Sequence, residues 1–180
     1  TFLTNTHGTL NILELCRVYK TKRIIIASSM HVYGKRKAPT REHMQPIPSR
    51  PYETSKACAD LMAQSYADSF RLPVIIPRFV NIYGPADRNF SRLIPKTIRS
   101  ILTDQSITLW GGKTEREYLY IDDVVEAYMR MIHLSERELK NNRVFNIGTG
   151  MPLKVSDVIE TIIKASGKQI QVIHTAIERK

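Results

Sequence analysis

Residues 24–35 read IIIASSMHVYGK. Three consecutive isoleucines are β-branched. A short unbroken run of that kind, flanked here by Arg23 and Ala27, predicts a strand over 23–28 buried on both faces of a parallel sheet. The run then gives way to Ser28 and Ser29, a Met30-His31 pair and Tyr33-Gly34. A buried strand that ends in hydroxyls and an imidazole either leaves the sheet into a plain loop or delivers those side chains to a reaction.

Working outward, helices and strands alternate. Residues 3–19 predict a helix with Leu10, Leu13 and Val18 among its apolar positions. A loop carrying Pro39, Pro46, Pro48 and Pro51 follows the strand. Next comes a helix that spaces Ala59, Met62, Ala63, Tyr66, Ala67 and Phe70 at helical intervals. LPVIIPRF at 72–79 predicts a second buried strand, and Pro77 argues that it lies near an edge or close to its end. Beyond residue 91 the elements shorten. SRLIPKTIRSIL predicts a helix, ITLW a strand, Gly111-Gly112 a turn and EYLYI another strand. Asp122 is expected to cap a helix running to about Leu134. RVFNIGTG predicts a strand and turn. Ser156 or Asp157 is expected to cap a helix that stops at Gly167, and IQVI is expected to be the last strand. This alternation predicts an α/β fold: a Rossmann-like parallel sheet with a smaller α+β lobe. Residues 1–85 are expected in the sheet domain and 86–180 mostly in the lobe, with about 118–148 returning to the sheet.

Composition narrows the function classes. The 42% hydrophobic and 24% charged content fits a globular core rather than disorder. The longest apolar runs fall well short of a membrane span, and no basic-then-apolar leader opens the chain. Cys16 and Cys58 have neither metal nor redox spacing, which suits reduced core cysteines in a cytoplasmic protein. His7, His43, His133 and His174 show no ligand spacing, and no metal is expected. The formal charge of +10 allows anionic partners. The basic residues are scattered, however, and their one cluster, KRK at 35–37, has no interleaved aromatic, which argues against nucleic acid.

Tyr52 and Lys56 stand four apart at the start of a helix, so they share a face. A free tyrosine is a poor base at neutral pH, with a pKa of about 10. An ammonium one turn away stabilises a phenolate. Such a pair can take a proton from a substrate hydroxyl while hydride leaves the same carbon. A serine at the carboxyl end of a buried parallel strand, Ser28 or Ser29, is placed to orient that hydroxyl.

ASSMHVYG, PYETSKACAD, PRFVNIYGP, REYLYIDDVVEAY and FNIGTG occur in this order across nearly the whole chain. The series resembles the extended short-chain dehydrogenase/reductase family, the NAD-dependent nucleotide-sugar epimerases and dehydratases. Its look is closest to CDP-glucose 4,6-dehydratase-like members. The resemblance implies NAD, rather than NADP, as cofactor, a nucleotide-diphosphate sugar as substrate and a homodimer paired through the Tyr52 helix and its neighbour. It implies Ser29, Tyr52 and Lys56 as the catalytic set, with Lys56 also holding the nicotinamide ribose. Asn5 and Ser28 are implied on the cofactor side. Arg78, Asn81, Arg92 and Arg116 are implied on the substrate side, Arg116 neutralising the diphosphate with a fork that pairs two oxygens at once. Asp122 and Asp123 are read as a helix start rather than as catalytic acids.

Two departures matter. The eight glycines contain no dinucleotide fingerprint, so the chain is expected to be an interior piece of a longer protein and inactive alone. The resemblance also implies, for 4,6-dehydratases, an acid and a base directly after the catalytic serine. Here Met30 cannot donate a proton, while His31 can serve at the second position. Epimerases do not need that acid. Two other classes stay open: a non-catalytic relative lacking the cofactor site, and a basic nucleic-acid binder. Salt-dependent retention on DNA or RNA discriminates the latter.

Overall fold

The computed structural model describes residues 1–36, 39–110, 112 and 114–175. Its first half runs α1 (Phe2–Val18), β1 (Ile24–Ile25), β2 (Ser28–Ser29), a 3-10 turn (Met30–Tyr33), α2 (Pro51–Phe70), β3 (Val74–Phe79) and β4 (Asn81–Tyr83). Then come α3 (Leu93–Leu102), β5 (Ile107–Trp110), β6 (Glu115–Arg116), β7 (Tyr118–Tyr120), α4 (Ile121–Ile132) and α5 (Glu136–Asn141). β8 (Val144–Ile147), β9 (Leu153–Lys154), α6 (Val155–Ser166) and β10 (Val172–Thr175) complete the order. The chain divides into two units. One holds Thr1–Val80 and Asp123–Gly148; the other holds Asn81–Asp122 and Thr149–Lys180.

In the first unit the expected strand forms in two pieces along one edge of β3. Ile24 and Ile25 pair with Val74 and Ile75, and Ser28 and Ser29 pair with Arg78 and Phe79, all parallel and in one register. β8 runs parallel along the other edge, Ile76 to Val144 through Phe79 to Ile147. β3 is therefore the central strand, and all six of its residues are buried. Of the two positions that Pro77 predicts, near an edge or close to the strand's end, the edge is excluded, and Pro77 lies two residues before the end of β3. The ladder from β1 runs through Ile24 N–H to the Pro73 carbonyl and Ile26 N–H to the Ile75 carbonyl. The next donor on β3 facing that strand is residue 77, and proline has no N–H. The missing bond falls at residues 26–27, where the strand breaks into β1 and β2. A proline is tolerated centrally because the neighbouring strand opens opposite it.

α1 and α2 pack together over this sheet. Leu13, Ala63 and Ala67 meet Ile24, Val74 and Ile76, with Cys16, Met62 and Tyr66 filling in around them. The alanines let the helices approach closely, and each large buried aliphatic contributes about 2 kcal/mol. The Tyr66 hydroxyl donates to Glu14, and Arg17 lies over the Phe70 ring at 5.3 Å.

In the second unit, β5 and β10 pair in parallel, as do β4 and β7, while β6 and β9 pair antiparallel. Ile101, Ile107, Leu109 and Ile159 form its core. α6 ends at Gly167 (φ 66°), as the sequence predicts. Its start differs: Lys154 holds the cap position without a side-chain bond, and the Ser156 hydroxyl donates to Asp157 instead. Likewise α4 begins at Ile121, so Asp122 lies inside its first turn rather than capping it. Gly111 of the expected turn and Lys37 of the basic cluster lie outside the described residues.

Candidate active site

α2 begins where the sequence makes a helix start inexpensive. Pro51 fills the first position, where its missing N–H costs nothing. The Glu53 carboxylate then accepts from the N–H groups of Ser49 and Arg50, at 2.9 and 3.1 Å, and from the Ser49 hydroxyl at 3.0 Å. Burial pushes the Glu53 carboxyl up. The hydrogen bonds from Ser49 and the charges of His31 and Arg50 outweigh it and hold the group below its ordinary value. Tyr52, one residue earlier, is 47% exposed at this fixed helix start.

Tyr52, Lys56 and Asp60 recur every four residues along one face of α2. The Lys56 ammonium donates to the Ala27 carbonyl at 3.1 Å, at the break between β1 and β2. Burial lowers the Lys56 pKa below the usual lysine value. One turn on, the Ser28 hydroxyl donates to Asp60 at 2.6 Å. Two successive helix positions thus hold two successive strand residues, and Ser29 is the next residue along.

Ser29 is buried, with an extended backbone, and its hydroxyl accepts from the His31 N–H at 3.2 Å. That bond starts the 3-10 turn. The turn sets the His31 ring edge-on to the Tyr52 ring, with centroids 6.4 Å apart. Met30 points the other way chemically: it packs against Val32, Tyr33 and Ala57. The turn ends at Gly34 (φ 65°, ψ −149°), where a Cβ would stand 1.9 Å from the Ile47 carbonyl oxygen.

Arg78 and Ser28 occupy places the sequence does not reveal. Arg78 is 1% exposed, and its guanidinium grips both Asp60 oxygens at 2.8 Å. It also donates to the Tyr33 hydroxyl at 2.6 Å and to the Glu42 carbonyl. Tyr33 in turn donates to Asn146 of β8 at 2.8 Å. Arg78, expected on the substrate side, has its donors directed into this interior network. Ser28, expected beside the cofactor, has its hydroxyl in the same network. Asn5, expected there too, donates from α1 to the buried Ser55 hydroxyl at 2.9 Å, and Ser55 donates to the Tyr52 carbonyl. Asp60 escaped the sequence reading, although it continues the four-residue spacing of Tyr52 and Lys56. Tyr33 and Asn146 left no sequence signal, since their meeting spans 113 positions.

The second unit carries the remaining candidates. The Asn81 amide donates to the Glu117 carbonyl at 3.0 Å. Arg92 precedes α3, and its exposed guanidinium meets Asp87 at 3.1 Å. Arg116 lies exposed on β6. Among the described residues, no group of three or more His, Cys, Asp and Glu could hold a metal ion. Among the described residues, no helix is long and apolar enough to cross a membrane.

Residues 1–148 match the NAD dependent epimerase/dehydratase family. That match covers most of the chain, and the protein belongs to this family. A dTDP-D-glucose 4,6-dehydratase of Dictyostelium discoideum is 40% identical over 175 residues, covering 90% of this chain and 39% of that protein. Among solved structures, the dTDP-glucose 4,6-dehydratase of Bacillus anthracis with NAD is 31% identical, with a TM-score of 0.85 over 99% of this chain and 58% of that one. The UDP-glucuronic acid 4-epimerase of Bacillus cereus with its sugar nucleotide and NAD is 27% identical, with a TM-score of 0.87 over 98% and 55%. The parallel α/β architecture expected from the sequence is thus the fold of these enzymes. The chain spans between about two fifths and three fifths of the length of these relatives.

Proposed function

We propose that the full-length protein is an NAD-dependent nucleotide-sugar epimerase or 4,6-dehydratase acting at C4 of the sugar. The observation that carries this reading is the face of α2 held against the strand end: exposed Tyr52 stands one turn before Lys56, which donates to Ala27, and Ser29 lies two residues beyond Ala27. The residues fit the nicotinamide-ribose end of the cofactor. Lys56 has three donors and gives one to Ala27, so its half-buried ammonium can also hold ribose hydroxyls. When bound, NAD supplies reversible hydride acceptance. Tyr52 takes the proton from the sugar 4-OH, the Lys56 ammonium stabilises the phenolate, and the Ser29 hydroxyl orients the sugar oxygen. The guanidinium groups of Arg116 and Arg92 are assigned to the diphosphate, and Asn81 to its surroundings. The first unit is assigned to the cofactor and the second to the substrate.

Between the two reactions, Met30 favours epimerisation. Loss of water needs an acid for the departing hydroxyl, and Met30 packs into an apolar cluster with no proton to give. His31, edge-on to Tyr52, serves proton transfer in either case. The free cysteines Cys16 and Cys58 suit a cytoplasmic enzyme. A homodimer through α1 and α2 is supported by Ile12, Leu15 and Val18 of α1 and Tyr19 just after it, all exposed large hydrophobic residues. The test is a panel of CDP-, dTDP-, UDP- and GDP-sugars given to the full-length enzyme and scored for C4 epimer against 4-keto product. Epimer from at least one sugar supports the reading. No turnover of any sugar overturns it.

A further inference from the structure

We infer that the buried group Ser28–Asp60–Arg78–Tyr33 is a positioning device that sets the register of α2 on the strand end, and so the alignment of Lys56 and Tyr52 with Ser29. This rests on the catalytic assignment above. Tyr52, Lys56 and Asp60 lie on one helix face, and the last two are tied to consecutive strand residues: Lys56 to the Ala27 carbonyl at 3.1 Å and Asp60 to the Ser28 hydroxyl at 2.6 Å. A helix advances about 1.5 Å per residue and a strand about 3.3 Å. One helix turn against one strand residue is thus a mismatched pairing that generic apolar packing does not specify. The α2 side chains packed with the strand residues Ile24, Val74 and Ile76 include Ala63 and Ala67, small groups over which a helix can slide.

The directional bonds remove that freedom. Asp60 is fully buried and cannot turn away, because Arg78 holds both of its oxygens and Gln64 donates to Oδ1 at 2.6 Å. Arg78 sits on β3 directly opposite Ser28 in the ladder, so helix, strand and neighbouring strand meet at one carboxylate. From Arg78 the chain of bonds continues to the Tyr33 hydroxyl, at the end of the 3-10 turn that Ser29 starts. Both ends of the Ser29–Tyr33 segment are therefore referred to the same buried pair. Tyr33 is further tied to Asn146, whose N–H donates to the Glu42 carboxylate at 2.9 Å and whose amide donates to the Thr40 carbonyl at 3.2 Å. Ser28, Tyr33, Asp60 and Arg78 are all buried. Their effect reaches the reaction through the position of Ser29, Lys56 and Tyr52, where a misplacement of about 1 Å costs on the order of 100-fold in rate.

The experiment is Ser28→Ala in the full-length protein, with Ser28→Thr as the conservative rescue. Ser28→Ala removes the tie between strand and helix yet leaves the Asp60–Arg78 pair whole, so the fold is retained. The expected result is a kcat lowered by about 10-fold or more with KM changed less than about twofold. Ser28→Thr keeps the hydroxyl and is expected to return kcat to within about threefold of wild type. A second readout does not need turnover. In protein carrying [13Cε]lysine, the Lys56 resonance, assigned through Lys56→Met, is titrated in both forms. Burial holds the Lys56 pKa low in the native register, and Ser28→Ala is expected to move its midpoint toward that of an ordinary lysine. A wild-type kcat together with an unmoved Lys56 midpoint in Ser28→Ala overturns the inference. If the wild-type enzyme turns over no nucleotide sugar, the catalytic reading fails, while the Lys56 midpoint still decides the positioning.

Discussion

Removing Arg78 tests the interior of the account. Arg78 and Asp60 are 1% and 0% exposed and share two bonds of 2.8 Å. Arg78→Met supplies similar bulk but leaves the Asp60 carboxylate buried with only Ser28 and Gln64 as donors. An uncompensated buried charge of this kind costs about 3–5 kcal/mol. Whole domains are stable by only about 5–15 kcal/mol. Urea unfolding of the full-length protein, followed by far-UV circular dichroism, is therefore expected to show a large fall in the midpoint. The double variant Arg78→Met/Asp60→Leu removes both charges and is expected to recover most of the loss, giving a coupling above about 2 kcal/mol. The surface pair Arg130–Glu126, 79% and 60% exposed, serves as a control, and Arg130→Ala is expected to cost under about 0.5 kcal/mol. A loss below about 1 kcal/mol for Arg78→Met, or strict additivity in the double variant, refutes the reasoning.

Glu53 predicts acid sensitivity. Its folded pKa lies below the ordinary 4.5, so its stabilisation is complete above that value and is lost as pH falls through the lower folded value. Glu53→Gln is expected to cost about 1 kcal/mol at pH 7 and progressively less toward pH 3, and a pH-independent cost would contradict this. Gly34→Ala forces a side chain into a backbone region open essentially to glycine and against the Ile47 carbonyl; thermal melts are expected to show about 2 kcal/mol or more of destabilisation. Leu15→Glu with Val18→Glu charges the exposed face of α1, and sedimentation is expected to show dissociation of the proposed dimer. Unchanged mass would remove that face from the interface.

The elements were legible wherever a local pattern decides them. The isoleucine run, the helical spacing of 59–70 and Gly167 each mark their structure because the cause lies within one turn or one strand. Boundaries that depend on a neighbour were not. The strand at 23–28 breaks because of Pro77, some 50 residues away, and Pro77 is central because a strand on each side says so. The site divides in the same way. Tyr52 and Lys56 follow from four-residue spacing. The interior bonds of Arg78 and Ser28 do not, because nothing local distinguishes a guanidinium that reaches solvent from one that meets Asp60 across 18 residues.

The central claim is that Tyr52 is the base for the sugar hydroxyl, and Tyr52→Phe in the full-length protein tests it most directly. The substitution removes one oxygen from an exposed ring at a helix start fixed by Glu53, so fold and cofactor content are expected to remain. Turnover of the sugar that wild type accepts, measured by product formation at saturating substrate, is expected to fall by at least about 100-fold with NAD binding changed less than about threefold. A Tyr52→Phe enzyme that keeps wild-type turnover would contradict the account.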